Sequence, residues 1–160
     1  MDLWVCYLLV ADQTNQTYVG ATNNAERRLK AHNRGVGAKR TRGQHWSHVL
    51  IISGFDCKKS CLSFEAGWKR LGKRRSKSRL RNLNEKFGTD YAYNSDTIWN
   101  RLLDLLYFVR TSTFIGTKFI LNRNQNLPRV HPPELTIKFN NIIYLHDFPW
   151  PKFILIDVNL

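Results

Sequence analysis

The first twenty-two residues constrain the fold most. Leu3–Val10 is an unbroken β-type run, Asp12-Gln-Thr-Asn15 is turn chemistry, and Thr17–Thr22 is a second short β segment. Two such runs joined by a short polar turn form a hairpin, and that pairing brings Tyr7 and Tyr18 near each other. A helix must follow at once. Thr22, Asn23 or Asn24 can cap it, it runs to about Asn33, and Gly35 stops it. Arg28 and His32 lie four apart in that helix and share a face.

The later chain alternates in the same way. His48–Gly54 reads as a buried third strand. Asp56 can cap a helix over roughly 57–71, whose core side is Cys61, Phe64, Trp68 and Leu71, with Glu65 beside that stripe. Asn94-Ser95-Asp96 opens a helix over about 96–111 with Ile98, Leu102, Leu105, Leu106 and Val109 buried. Beyond Thr113 the pattern predicts strands at Phe114–Leu121, Leu135–Phe139, Ile142–Leu145 and Phe153–Val158, punctuated by prolines. The expected class is α+β: a small domain with a three-stranded antiparallel sheet flanked by helices, then a helix and a short β-rich extension. The expected divisions are 1–84, a connector and amphipathic helix over 85–111, and 112–160, whose apolar and Pro-Trp-Pro content suits packing, self-association or partner binding.

Charge narrows the function. The net charge of +13 is concentrated: residues 13–84 carry 17 Lys/Arg against only Glu26, Asp56 and Glu65. Such a domain collects phosphate backbones and releases their counterions. From Lys69 to Arg81, eight of thirteen residues are basic and none is acidic. A solvated helix end or a nuclear-localisation tract is the plain alternative for that run. Residues 95–160 hold seven Lys/Arg against five Asp/Glu, which makes the tail a poor reader of DNA. No stretch approaches the length of a membrane span, and neither end carries a signal-peptide or lipidation pattern. Three cysteines are too few for a disulfide framework or an ordinary zinc module, and His131 and His146 lie far from them. The expectation is a reduced, intracellular chain that avoids membranes.

Several segments, in order, carry a resemblance. They are Cys6-Tyr7-Leu8-Leu9, Tyr18-Val19-Gly20, Arg27-Arg28-Leu29 with His32-Asn33, Gly37-Ala38-Lys39-Arg40-Thr41, His45-Trp46, Val49-Leu50-Ile51 with Gly54-Phe55, and Phe64-Glu65 with Trp68. Over about residues 4–72 the chain resembles the GIY-YIG nuclease superfamily, and within it the eukaryotic Slx-type structure-selective endonucleases. It departs in reading Val-Cys-Tyr for Gly-Ile-Tyr, and in lacking the cysteines of that family's RING domain, through which its regulatory partner docks. The resemblance implies a stripped-down enzyme of a kind suited to a small compact or viral genome, acting in the nucleus or where DNA replicates.

It also implies metal-dependent hydrolysis of a DNA phosphodiester. Glu65 would be the single protein ligand of Mg²⁺ or Mn²⁺, because magnesium keeps most of its waters. Arg28 would grip the scissile phosphate with its planar guanidinium. Tyr7 would take the proton from the attacking water, its phenolate favoured by nearby cations, with Tyr18 and His32 orienting the water or assisting. Backbone contacts would come from Arg27, Arg34, Lys39, Arg40 and Arg42, and from Lys69, Arg70, Lys73, Arg74, Arg75, Lys77, Arg79 and Arg81. Two basic surfaces suit flaps, forks or four-way junctions. Taken singly, a hairpin tyrosine pair is ordinary packing, and a histidine near a helix end is an ordinary terminal charge. A non-catalytic nucleic-acid-binding module and a sequence-specific member of the superfamily are the competing readings.

Overall fold

A computed structural model describes residues 3–159 apart from Arg129 and His131. The hairpin forms as read: β1 (Val5–Ala11) pairs antiparallel with β2 (Thr17–Thr22), with Asn15 in the left-handed region at the turn. α1 (Ala25–Asn33) is capped by Asn24, whose side chain accepts from the Arg27 amide. β3 (Trp46–Ser53) then returns to pair antiparallel with β1 on its other side. α2 (Lys58–Leu71) is capped at Cys57 rather than Asp56, and the Ser60 hydroxyl closes a capping box there. α3 (Arg81–Phe87) was not anticipated; it ends at Gly88 in the left-handed conformation. α4 (Thr97–Thr111) begins at Asp96, which accepts from the Ile98 and Trp99 amides.

The tail does more than follow the N-terminal half. The segment read as one strand over Phe114–Leu121 turns back at Gly116, giving a hairpin of β4 (Ser112–Ile115) and β5 (Lys118–Leu121). β6 (Leu135–Phe139) pairs antiparallel with β3, and β7 (Ile154–Val158) runs parallel beside β6. The expected three-stranded antiparallel unit is therefore the first part of a five-stranded mixed sheet, ordered β2-β1-β3-β6-β7. Ile142–Tyr144, expected to be a strand, is a 3-10 turn whose start is fixed by the Asn141 side chain.

Strand alternation sorts β1 onto two faces. Cys6, Leu8 and Val10 join Phe64, Trp68, Leu102 and Leu106 in the main core beneath α2 and α4. Tyr7, Leu9 and Ala11 look the other way, into a smaller cluster with Trp46, Tyr18 and Leu29. Two of the expected backbone-binding cations turn inward. Arg75 Nε and Nη2 donate to Asp104 Oδ2 at 3.0 and 2.8 Å, and Arg79 Nη1 donates to Oδ1 at 3.1 Å. Arg79 also donates to the Leu71 and Arg74 carbonyls, leaving its side chain only 10% exposed. The reason is Asp104 itself: fully buried in α4, it needs positive charge, and the basic tract supplies it.

Candidate active site

Tyr7 reaches the edge of the sheet because its cross-strand partner is glycine. Gly20 stands opposite Tyr7, and a Cβ there would lie 2.4 Å from the Tyr7 hydroxyl. The ring thus lies across β2, the edge strand, rather than standing clear of it. Tyr18, paired with Leu9, is on the same face, and the two ring centres are 6.4 Å apart.

His32 is the hub. Tyr7 Oη is 2.9 Å from His32 Nε2, and His32 Nδ1 is 2.7 Å from Thr41 Oγ1. Proton accounting fixes the tautomer. Thr41 uses its one hydroxyl proton on the Ala38 carbonyl at 2.8 Å, so its oxygen must accept from Nδ1–H. Nε2 is then the bare nitrogen, and Tyr7 donates to it. Gly37 permits this closeness, since a Cβ there would meet Nδ1 at 2.7 Å. The loop is held by Asn33, which exchanges two hydrogen bonds with the Trp46 backbone, and by the Trp46 indole, which donates to the Thr41 carbonyl.

The titration behaviour agrees with that assignment. Burial, helped by Arg28, His48 and Lys69, pushes His32 down to about 4. Burial raises Tyr7 to about 12, and the Arg28 guanidinium beside the hydroxyl only partly opposes it. The expectation that nearby cations favour a Tyr7 phenolate is thereby corrected: desolvation outweighs them. A stability effect follows, with a definite sign. Between pH 6.5 and about 4 the unfolded chain protonates His32 while the folded chain does not. Stability is therefore complete above pH 6.5 and falls as pH drops towards 4, by at most about 3 kcal/mol. Urea denaturation at stepped pH should show this decline, shallower in His32→Gln; an identical slope in the variant would remove His32 as its cause.

Glu65 arrives from the other side of the sheet. Its Oε1 is 3.5 Å from Lys69 Nζ, one helical turn on, and that ammonium sits 4.4 Å from the Tyr18 ring centre. Lys69 thus stands between the carboxylate and Tyr18, and the Glu65 side chain is 18% exposed. It also helps burial to raise the Cys61 thiol to about 12. Among the described residues no carboxylate pairs with Arg28, and no cluster of three or more His, Cys, Asp or Glu is placed to hold a metal. One carboxylate fits magnesium or manganese, which keep water ligands and take substrate oxygens; it does not fit a zinc cage.

The structure brings Tyr7, Tyr18, Arg28 and His32 together, and Glu65 is linked to that group through Lys69. Lys69 belongs with them rather than with an outer surface. Arg27, Arg34, Lys39, Arg40 and Arg42 are exposed on α1 and the loop after it, and Arg70 in the last turn of α2 and Lys73, Arg74, Lys77 and Arg81 beyond it are exposed as well. Three contributors had no role in the sequence reading, although Thr41 and Trp46 lie in the matching segments. Thr41 orients His32; Trp46 holds the loop; His48 packs edge-on to Tyr7 at 6.0 Å, with both buried ring nitrogens lacking a hydrogen-bond partner. Only a histidine inside an otherwise apolar strand hinted at the last.

The hairpin, the helix bearing Arg28 and His32, and the helix bearing Glu65 are the elements on which the matching segments of the sequence lie. Residues 3–91 match the family model for the GIY-YIG catalytic domain, and the chain belongs to that family; it is a nuclease. It is 49% identical over 158 residues to uncharacterized protein L300 of Acanthamoeba polyphaga mimivirus, covering 96% of this chain and 95% of that one. It is 43% identical over 72 residues to a structure-specific endonuclease subunit SLX1 homolog of Giardia intestinalis, covering 41% of this chain and 20% of the relative. The slx1 subunit of Schizosaccharomyces pombe is 40% identical over 81 residues, covering 45% and 30%. The chain thus matches less than a third of the length of these two endonuclease subunits. Among the described residues no helix is long and apolar enough to cross a membrane.

Proposed function

We propose that this chain is a divalent-ion-dependent endonuclease that cuts branched DNA during repair, recombination or replication, in a nucleus or at a viral replication site. One observation supports it most: the Tyr7 hydroxyl is aimed at a neutral, correctly oriented His32, with Arg28 beside that hydroxyl.

In this reading Tyr7 need not be ionised beforehand. Its oxygen accepts a proton from the attacking water while its own proton passes to His32 Nε2. Thr41 keeps the imidazole turned for that transfer, and the negative charge of bound phosphodiester favours the imidazolium that results. Arg28 holds two oxygens of the scissile phosphate and offsets charge gathering there. Tyr18 packs against His32 at 5.2 Å between ring centres and limits where water can stand. Glu65 would hold the magnesium or manganese ion, and Lys69, paired with it, would restrict the directions in which the carboxylate can turn. When bound, the ion would supply Lewis-acid stabilisation of the leaving oxygen.

The exposed cations flank this edge in two groups, Arg34 to Arg42 and Arg70 to Arg81. Two grips fit two helical arms meeting at an angle, and they carry no base-reading geometry. A panel of flap, fork, four-way-junction and plain duplex substrates, with and without Mg²⁺ or Mn²⁺, tests this. Ion-dependent incision of the branched members near the branch is expected. Equal cutting of plain duplex would remove the structural selectivity, and binding without any cleavage would favour a non-catalytic module.

A further inference from the structure

We propose that a second, cationic cavity receives an unpaired nucleotide of single-stranded DNA. The cavity has a volume of about 650 Å³ and lies between the ends of α2 and α4, α3 and the loop after β5. That volume suits one nucleotide with its phosphate.

Its charge is one-sided. Lys73, Arg74, Lys86 and Arg123 stand around the mouth, all exposed, and no Asp or Glu lines the cavity among the described residues. None of these four is in an ion pair among the described residues. Like charges gathered round a concavity repel one another, and a polyanion relieves that repulsion. Two of the four, Lys86 and Arg123, lie outside the basic tract, so folding of α3 and the tail completes the ring.

The interior argues for a base rather than any anion. Leu83, Phe87 and Tyr107 are apolar lining. Arg79 is fixed by bonds to Asp104, Tyr93 and two carbonyls, with its guanidinium carbon 5.7 Å from the Tyr107 ring centre. That guanidinium is closed off by Tyr107 and Tyr93, so the surface offered to a base is the lining itself. There Leu83 and the Phe87 and Tyr107 rings provide an apolar, aromatic wall, and stacking on such a wall is sequence-tolerant. A base inside a duplex offers no free face, so only an unpaired one can enter. Arg70 lines this cavity, and its neighbour Lys69 covers Tyr18 in the cleft.

The inference rests on the branched-DNA reading, and the test separates the two. Glu65→Gln protein, without divalent ion, is titrated with fluorescent oligothymidylate containing 4-thiothymidine, then irradiated and peptide-mapped. Crosslinks to Phe87 or Tyr107 peptides are expected. The Lys86→Glu/Arg123→Glu pair should bind about tenfold more weakly, and Lys86→Ala/Arg123→Ala should lower the logarithmic salt slope by about 1.4. Unchanged affinity in both pairs, or crosslinks confined to the cleft, would overturn the proposal. So would polyglutamate displacing the oligonucleotide at equal charge concentration, since the cavity would then read charge alone. Branched-DNA cleavage without cavity crosslinks sinks this inference only; cavity crosslinks in a chain that cuts nothing sink the enzymatic reading only.

Discussion

Glu65→Gln should lower the rate of DNA incision by about 10³-fold or more, because amide oxygen replaces the carboxylate that would hold the divalent ion. A thousandfold corresponds to about 4 kcal/mol of transition-state stabilisation. DNA binding should hold or tighten slightly, since the change removes a negative charge and frees Lys69 from its 3.5 Å pairing. Manganese binding, followed by its paramagnetic resonance, should weaken in parallel, which gives a reading independent of turnover. Arg28→Ala should cost about 10²–10³-fold by removing charge-assisted donors from the phosphate, with the salt dependence of binding reduced by about one phosphate contact. Both variants cutting branched DNA at the parental rate would end the proposed mechanism.

The second large effect concerns stability. Asp104 is fully buried and accepts from Arg75, Arg79 and Tyr93, the last at 2.7 Å. Asp104→Ala leaves two guanidinium groups facing a low-dielectric interior with no counter-charge. Breaking a buried pair from one side costs about 3–5 kcal/mol. For a chain of this size, that lowers the thermal midpoint by roughly 10 °C. Denaturant titration should show the loss, and Arg75→Met combined with Asp104→Leu should recover part of it by removing charge from both sides. A midpoint for Asp104→Ala within about 1 kcal/mol of the parent would mean that water reaches the site and solvates the arginines.

Periodicity and caps made the hairpin, α1, α2 and α4 legible, because each is a local pattern with its own stop signal. The site was legible as a set of residue types, and its contacts were not. The Tyr7–His32 bond joins residues 25 positions apart, and it needs the β1–β2 register, the glycine at 20 and the loop that ends on Thr41. The phenolate expectation failed because charge is visible in a sequence while desolvation of a ring laid across a strand is not. Arg75 and Arg79 read as surface for the same reason, although a lone acid inside Leu102–Leu106 was a signal that something must neutralise it. In the tail, alternation identified β6 but could not say that its partner is β3.

That pairing has a bearing on how the molecule comes into being. β3 is an interior strand only because Leu135–Phe139 lies against Leu50–Ser53. A ribosome that has released β3 has produced a sheet with an unsatisfied edge, and the strand that closes it begins more than eighty residues further along the sequence. Maturation of the enzyme is thus tied to the later segment that carries β6, and a nascent chain halted after α4 carries a ready template for sticking to its neighbours.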